Sequence, residues 1–134
     1  MDLIINSSLS EINKAHQFFV EEANKAFIDE SKIQRMSVVI DEILSNIIRH
    51  GHGENSKATI LFTCLIHEDT LTMIFKDSGK AFNPLLAESP NFSSNLDALN
   101  LGGLGIHLIK NLVDSIKYER QGNFNVLELN KYVK

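Results

Sequence analysis

A change of hydrophobic period near residue 57 constrains this chain more than any other feature. Before it, apolar residues recur at helical spacing: Ile12, Ala15, Phe19, Ala23 and Ala26 on one stripe, and Ile33, Met36, Ile40, Ile43 and Ile47 on a second. After it, Ala58, Ile60, Phe62, Cys64 and Ile66 alternate with their neighbours, as do Leu71, Met73 and Phe75. Ser8 precedes Glu11 at capping-box spacing and opens a first helix running to about Phe27. Asp29-Glu30-Ser31 with Gln34 opens a second, running to about His50 and stopped by Gly51-His52-Gly53. The alternating runs, Ala58 to Ile66 and Thr70 to Lys76, predict an antiparallel hairpin turning at His67-Glu68-Asp69. Leu3 to Asn6 reads as a short strand, and Gly105 to Val113 is helical again. Ser115 to Arg120 and Asn123 to Asn130, separated by Gln121-Gly122, read as a closing hairpin. Helices and mostly antiparallel strands segregate along the chain. The expectation is therefore an α+β two-layer sandwich with helices on one face of a mixed, mostly antiparallel sheet.

With 134 residues, 43% of them hydrophobic and 22% charged, the chain has the length and composition of one globular domain, expected to span residues 1–134. Its one cysteine, Cys64, excludes an internal disulfide or a cysteine-rich metal cluster. A formal net charge of -4 with no basic run argues against nucleic-acid partners. No apolar run approaches the roughly 18 to 20 residues of a membrane span, and the start of the chain lacks the pattern of a leader. A cytoplasmic protein with no membrane partner is expected.

Three segments carry more than fold. On the second helix, Glu42, Asn46 and Arg49 project within an arc of about 60°, opposite the Ile40, Ile43, Ile47 stripe, with His50 beside them. Such an arc is either an ordinary solvated face or a site. Glu42 and Asn46, one turn apart with small Ser45 alongside, suit one hydrated Mg²⁺, which takes few protein ligands and keeps waters. Asp77-Ser78-Gly79 follows directly on a strand. It serves either as a plain turn or as a strand-end carboxylate able to accept a hydrogen bond from an exocyclic amine such as adenine's, with Gly79 admitting the base close to the backbone. Gly102-Gly103-Leu104-Gly105 opens the last helix, where bare N–H groups at the positive end of the helix dipole favour phosphate. Relief of crowding between loop and helix explains these glycines equally well. The segment is neither a P-loop nor a dinucleotide fingerprint, because no Gly-Lys-Ser/Thr follows it and no strand precedes it.

Taken in order and spacing, Glu42 to Gly51, Asp77 to Gly79 and Gly103 to Gly105 resemble the N, G1 and G2 boxes of the GHKL ATPase superfamily. Within it the chain is most similar to the small anti-sigma-factor serine/threonine kinases of bacterial partner switching. The resemblance covers roughly residues 1 to 130 and implies the Bergerat fold with ATP and Mg²⁺ as cofactors. It implies Asn46 as the Mg²⁺ ligand, Asp77 as the adenine-recognising carboxylate and Glu42 as the general base. The nucleotide would be lined by Asn46, Arg49, His50, Asp77, Gly79, Ala81, Phe82, Gly102, Gly103, Leu104 and Gly105, under a lid from about residue 82 to 101. The implied partners are a STAS-domain anti-anti-sigma protein, phosphorylated on serine, a sigma factor or other output protein, and a second copy of the chain in a homodimer.

Two positions depart from the family pattern. Ala81 stands where many members have a second G1 glycine, and Asn100-Leu101-Gly102 lacks the basic residue that often precedes the second glycine box. Loss of that cation weakens charge stabilisation in the transition state unless Lys80 or Arg49 compensates. The kinase reading therefore stands beside an alternative, a non-catalytic nucleotide-dependent protein-binding switch of the same fold. A sensor histidine kinase domain is less well supported, because His16 is the sole candidate phosphoacceptor and lacks a partner hairpin.

Overall fold

The computed structural model describes residues 1–52, 57–86 and 103–133. Strand β1 (Asp2–Asn6) leads through a short 3-10 turn (Leu9–Glu11) into helix α1 (Ile12–Lys25), followed by α2 (Glu30–Ile47) and a wider π-helical turn (Ile48–His52). The hairpin β2 (Thr59–His67) and β3 (Thr70–Asp77), a short 3-10 turn (Pro84–Leu86), helix α3 (Gly103–Leu112), and the hairpin β4 (Ser115–Gln121) and β5 (Phe124–Tyr132) complete the described elements. The strands form one sheet in the order β1-β2-β3-β5-β4. All four pairings are antiparallel, so the described sheet is antiparallel throughout rather than mixed.

The period-2 pattern is realised as one buried face. Ile60, Phe62 and Cys64 of β2, Leu71, Met73 and Phe75 of β3, and Leu127 and Leu129 of β5 are buried, while Leu61, Thr63, Ile74 and Val126 on the other face stay half-buried. The β2–β3 register places Phe62 opposite Phe75, and their rings stack at 4.8 Å with Phe18 of α1 edge-on to Phe62 at 5.7 Å. This aromatic cluster joins the helical layer to the sheet. From α1, Ala15, Phe19 and Ala23 are buried, and from α2, Ile33, Met36, Val39, Ile40, Ile43 and Leu44.

The helix ends differ from expectation in instructive ways. Ser8 makes no side-chain cap; its hydroxyl pairs with Ser10, and Glu11 instead accepts the Asn6 N–H at 3.3 Å. The chain turns first as a 3-10 segment, so α1 begins at Ile12. At its other end the Phe27 N–H donates to Asn24 O and the Ile28 N–H to Ala23 O, both at 3.1 Å, and Phe27 has φ 58°. This is a Schellman motif with phenylalanine at the position glycine ordinarily fills. Ala26, placed on the apolar stripe by periodicity, is exposed because the helix has already ended. Asp29 caps α2 through its backbone carbonyl, while its side chain accepts from the Ser31 hydroxyl. The expected lid falls outside the described residues beyond Leu86, as does Gly53.

Candidate nucleotide site

The sheet register sets the site. Asp77 is the last residue of β3, directly opposite Asn125 of β5 on one side and Ile60 of β2 on the other. Both polar side chains are buried, Asp77 at 4% and Asn125 at 6% exposure. Buried polar groups require partners, and Asp77 Oδ2 accepts from the Gly79 N–H at 2.9 Å and from Asn125 Nδ2 at 3.2 Å. The first of these is an Asx turn, so Asp77-Ser78-Gly79 is a turn whose carboxylate also faces a pocket.

Asn125 ties the surrounding loop together. Its Nδ2 donates to the Lys80 carbonyl at 2.9 Å, and its Oδ1 accepts from the Phe82 N–H at 3.3 Å, Arg120 at 3.2 Å and the Tyr118 hydroxyl. Arg120 also donates to the Gly79 carbonyl at 2.8 Å. Asn125, Tyr118 and Arg120 are absent from the sequence-based site. The available signal was Asn125 itself, a polar residue at the inward parity of a strand whose next inward positions are Leu127 and Leu129.

The pocket over Asp77 is walled by Ile43, Asn46 and Ile47 of α2, Phe75, Phe82, Pro84, Ile106 of α3, Tyr118, Asn125 and Leu127. It spans about 430 Å³ out to solvent. His50, half-buried on the π-helical turn, stacks on Phe82 at 4.8 Å and joins the end of α2 to the loop after β3.

The arc expected on α2 is only partly a face of its own. Asn46 is 7% exposed and lines the pocket beside Ile43 and Ile47, so it borders the buried stripe instead of opposing it through solvent. Arg49 is exposed, lies on the π-helical turn after Ile47 and does not line the described pocket. Ala81 is likewise exposed and outside the lining. Gly103 begins α3, whereas Gly102 and the Leu104 side chain lie outside the described residues. Gly105 meets Glu42 closely: a Cβ built there would fall well inside contact with Glu42 Oε2 and 3.1 Å from its Cδ. The second helix and the second glycine segment thus converge at this edge of the pocket.

The histidine kinase-like ATPase domain model matches residues 5–131. The chain belongs to that family. A serine-protein kinase RsbW of Staphylococcus epidermidis is 26% identical over 107 residues, covering 76% of this chain and 67% of the relative. The serine/threonine-protein kinase BtrW of Bordetella bronchiseptica is 28% identical over 97 residues, covering 72% and 68%. Among solved structures, the RsbU and RsbW domains of Rv1364c from Mycobacterium tuberculosis align with a TM-score of 0.69 at 15% identity, over 99% of this chain and 32% of that one. The nucleotide-free catalytic domain of histidine kinase ThkA aligns with a TM-score of 0.58 at 20% identity, over 99% and 96%. The two-layer α+β architecture is thus that of histidine kinase ATPase domains, and ATP is the ligand such a domain implies. Among the described residues no helix is long and apolar enough to cross a membrane.

Proposed function

We propose that this chain is a cytoplasmic ATP-dependent protein serine/threonine kinase of one domain, acting as an anti-sigma-factor-like switch on a serine of a STAS-domain antagonist. A sigma factor or other output protein would compete with that antagonist. The observation that carries the reading is the approach of Glu42 to Gly105 in the first turn of α3, beside a pocket that Asn46 and the buried Asp77 line. A pure nucleotide pocket needs the aspartate and the apolar walls but no carboxylate beside the phosphate end.

Asp77 accepts the exocyclic amine of adenine, held in place by Asn125 and the Gly79 turn. Ile43, Ile47, Phe75, Ile106 and Leu127 supply the apolar walls, and the bare N–H groups opening α3 receive phosphate. The Asn46 amide at the pocket wall suits one hydrated Mg²⁺. Mg²⁺ takes few protein ligands and keeps waters, so a cation there would be held mainly by phosphates and water. Bound there, Mg²⁺ supplies charge neutralisation at the phosphates. In the transfer, the serine Oγ forms a bond to the γ-phosphorus, the bond to the β,γ-bridging oxygen breaks, and ADP leaves with that electron pair. The serine proton passes to the Glu42 carboxylate.

Calorimetric titration of Mg·ADP and Mg·ATP tests the pocket, with Asp77→Asn as the control. Loss of a charge-assisted hydrogen bond worth about 1.5–3 kcal/mol predicts roughly 10- to 150-fold weaker binding. Incubation with radiolabelled Mg·ATP and STAS-domain proteins of the same genome then tests transfer, with Glu42→Gln expected to slow phosphoserine formation by about 10²- to 10⁴-fold. Binding without phosphoserine on any of them would favour the non-catalytic switch, the reading that Ala81 in the first glycine box supports. No binding by folded wild type refutes both.

A further inference from the structure

Gly105 is the third residue of α3, a position where an isolated helix prefers alanine to glycine. Its φ is not in the left-handed region, so no backbone requirement asks for glycine there. What the position lacks is room. The volume of a Cβ at residue 105 is already occupied by the end of the Glu42 side chain, with Oε2 foremost and Cδ and Cγ at 3.1 and 3.7 Å.

The backbones on either side are not free to yield. Ile43, next to Glu42, and Ile106, next to Gly105, are both buried at 2% exposure and line the same pocket, and α2 packs against α3. A methyl group at 105 would therefore be accommodated by rotation of the Glu42 side chain, whose own bonds are the softest element present. The seat also places a carboxylate beside the first turn of α3, where the helix dipole favours negative charge.

We infer that Gly105 is a positioning residue for Glu42: the absence of a side chain at 105 is the seat that holds the Glu42 carboxylate at the phosphate end of the pocket. This goes beyond a glycine that merely exposes N–H groups, and it rests on the reading of Glu42 as the base.

The test is a double-mutant cycle over wild type, Gly105→Ala, Glu42→Ala and the double variant, read in two ways. The first readout is the thermal midpoint, which needs no substrate. Alanine replaces glycine favourably within a helix, so Gly105→Ala should raise the midpoint when residue 42 is alanine and fail to raise it, or lower it, when Glu42 is present. Folding of the double variant where the single Gly105→Ala variant fails to fold would be the same result in stronger form. Equal shifts in both backgrounds would overturn the seat.

The second readout is phosphoryl transfer to the STAS acceptor at saturating Mg·ATP. A displacement of about 1 Å at a catalytic group costs on the order of 100-fold in rate, so Gly105→Ala should lower kcat by about that factor, with KM for Mg·ATP changed far less. In the Glu42→Ala background it should cost nothing further. An equal loss in both backgrounds would mean that Gly105 acts on the phosphates directly and would overturn the inference. If the midpoints couple but Glu42→Ala transfers as fast as wild type, the seat stands and the base assignment is what fails.

Discussion

Replacing Asn125 by alanine tests the link between the closing hairpin and the site. The side chain is 6% exposed and its hydrogen-bond partners include Asp77, Lys80 O, Phe82 N, Arg120 and the Tyr118 hydroxyl. The bond to the Asp77 carboxylate is charge-assisted and contributes about 1.5–3 kcal/mol, and a neutral bond about 1. The Arg120 contact is reached from an exposed side chain and adds little. Losing the Asp77, Lys80 and Tyr118 bonds while leaving those groups in the interior comes to about 4 kcal/mol, a large share of the roughly 5–15 kcal/mol that holds a domain together. With an unfolding entropy near 2.1 cal/mol/K per residue over 134 residues, the midpoint should fall by about 14 °C. Differential scanning calorimetry measures it, and titration of Mg·ADP into the folded variant should show binding weakened together with stability, since Asp77 loses its anchor. A midpoint within about 3 °C of wild type would refute the view that this network holds the loop after β3.

Phe27→Gly should stabilise the protein by about 1 kcal/mol, because the residue is 94% exposed and holds φ at 58° in a Schellman cap suited to glycine; chemical denaturation measures the gain. Cys64, 3% exposed, has its thiol pushed by burial from an ordinary 9.0 up to about 11. The folded state then binds more protons than the unfolded one between those values, so stability should fall as pH rises through that window, by roughly 2 kcal/mol at its upper end. Cys64→Ala should lack that fall. Burial also raises the carboxyl of Asp41 above its ordinary 3.8, against the opposing charge of His16, and its Oδ1 has no hydrogen-bond partner among the described residues. Keeping that group ionised disfavours the fold above its ordinary range, so Asp41→Asn should raise the midpoint at pH 7 relative to wild type and lose that advantage below about pH 3.8.

The strands were legible because alternation survives in one dimension. Ile60, Phe62 and Cys64 against Leu71, Met73 and Phe75 predict both the hairpin and its buried face, and both are observed. Asp77 was legible for the same reason, as a carboxylate ending such a run. The end of α1 was harder, because the signal for a Schellman cap is glycine and the chain places Phe27 there. A helical projection located Asn46 and Glu42 correctly along α2 but assigned the wrong neighbour to Asn46, since burial depends on which elements pack alongside. Arg49 falls on the π-helical turn after Ile47, a local change in helical pitch that residue types alone do not signal. Asn125 offers a signal as a polar residue at inward parity, but its bonds to the loop after β3 do not, because that network joins residues 41 to 48 positions apart through the pairing of β3 with β5.

That pairing also orders events in time. β5 enters the sheet between β3 and β4, although it is synthesised after both. Until Asn125 emerges and inserts, Asp77 lacks its donor across the sheet, and a chain still on the ribosome can form the β2–β3 hairpin without a finished nucleotide pocket. Ligand competence therefore arrives late, after the slow step of closing a long loop.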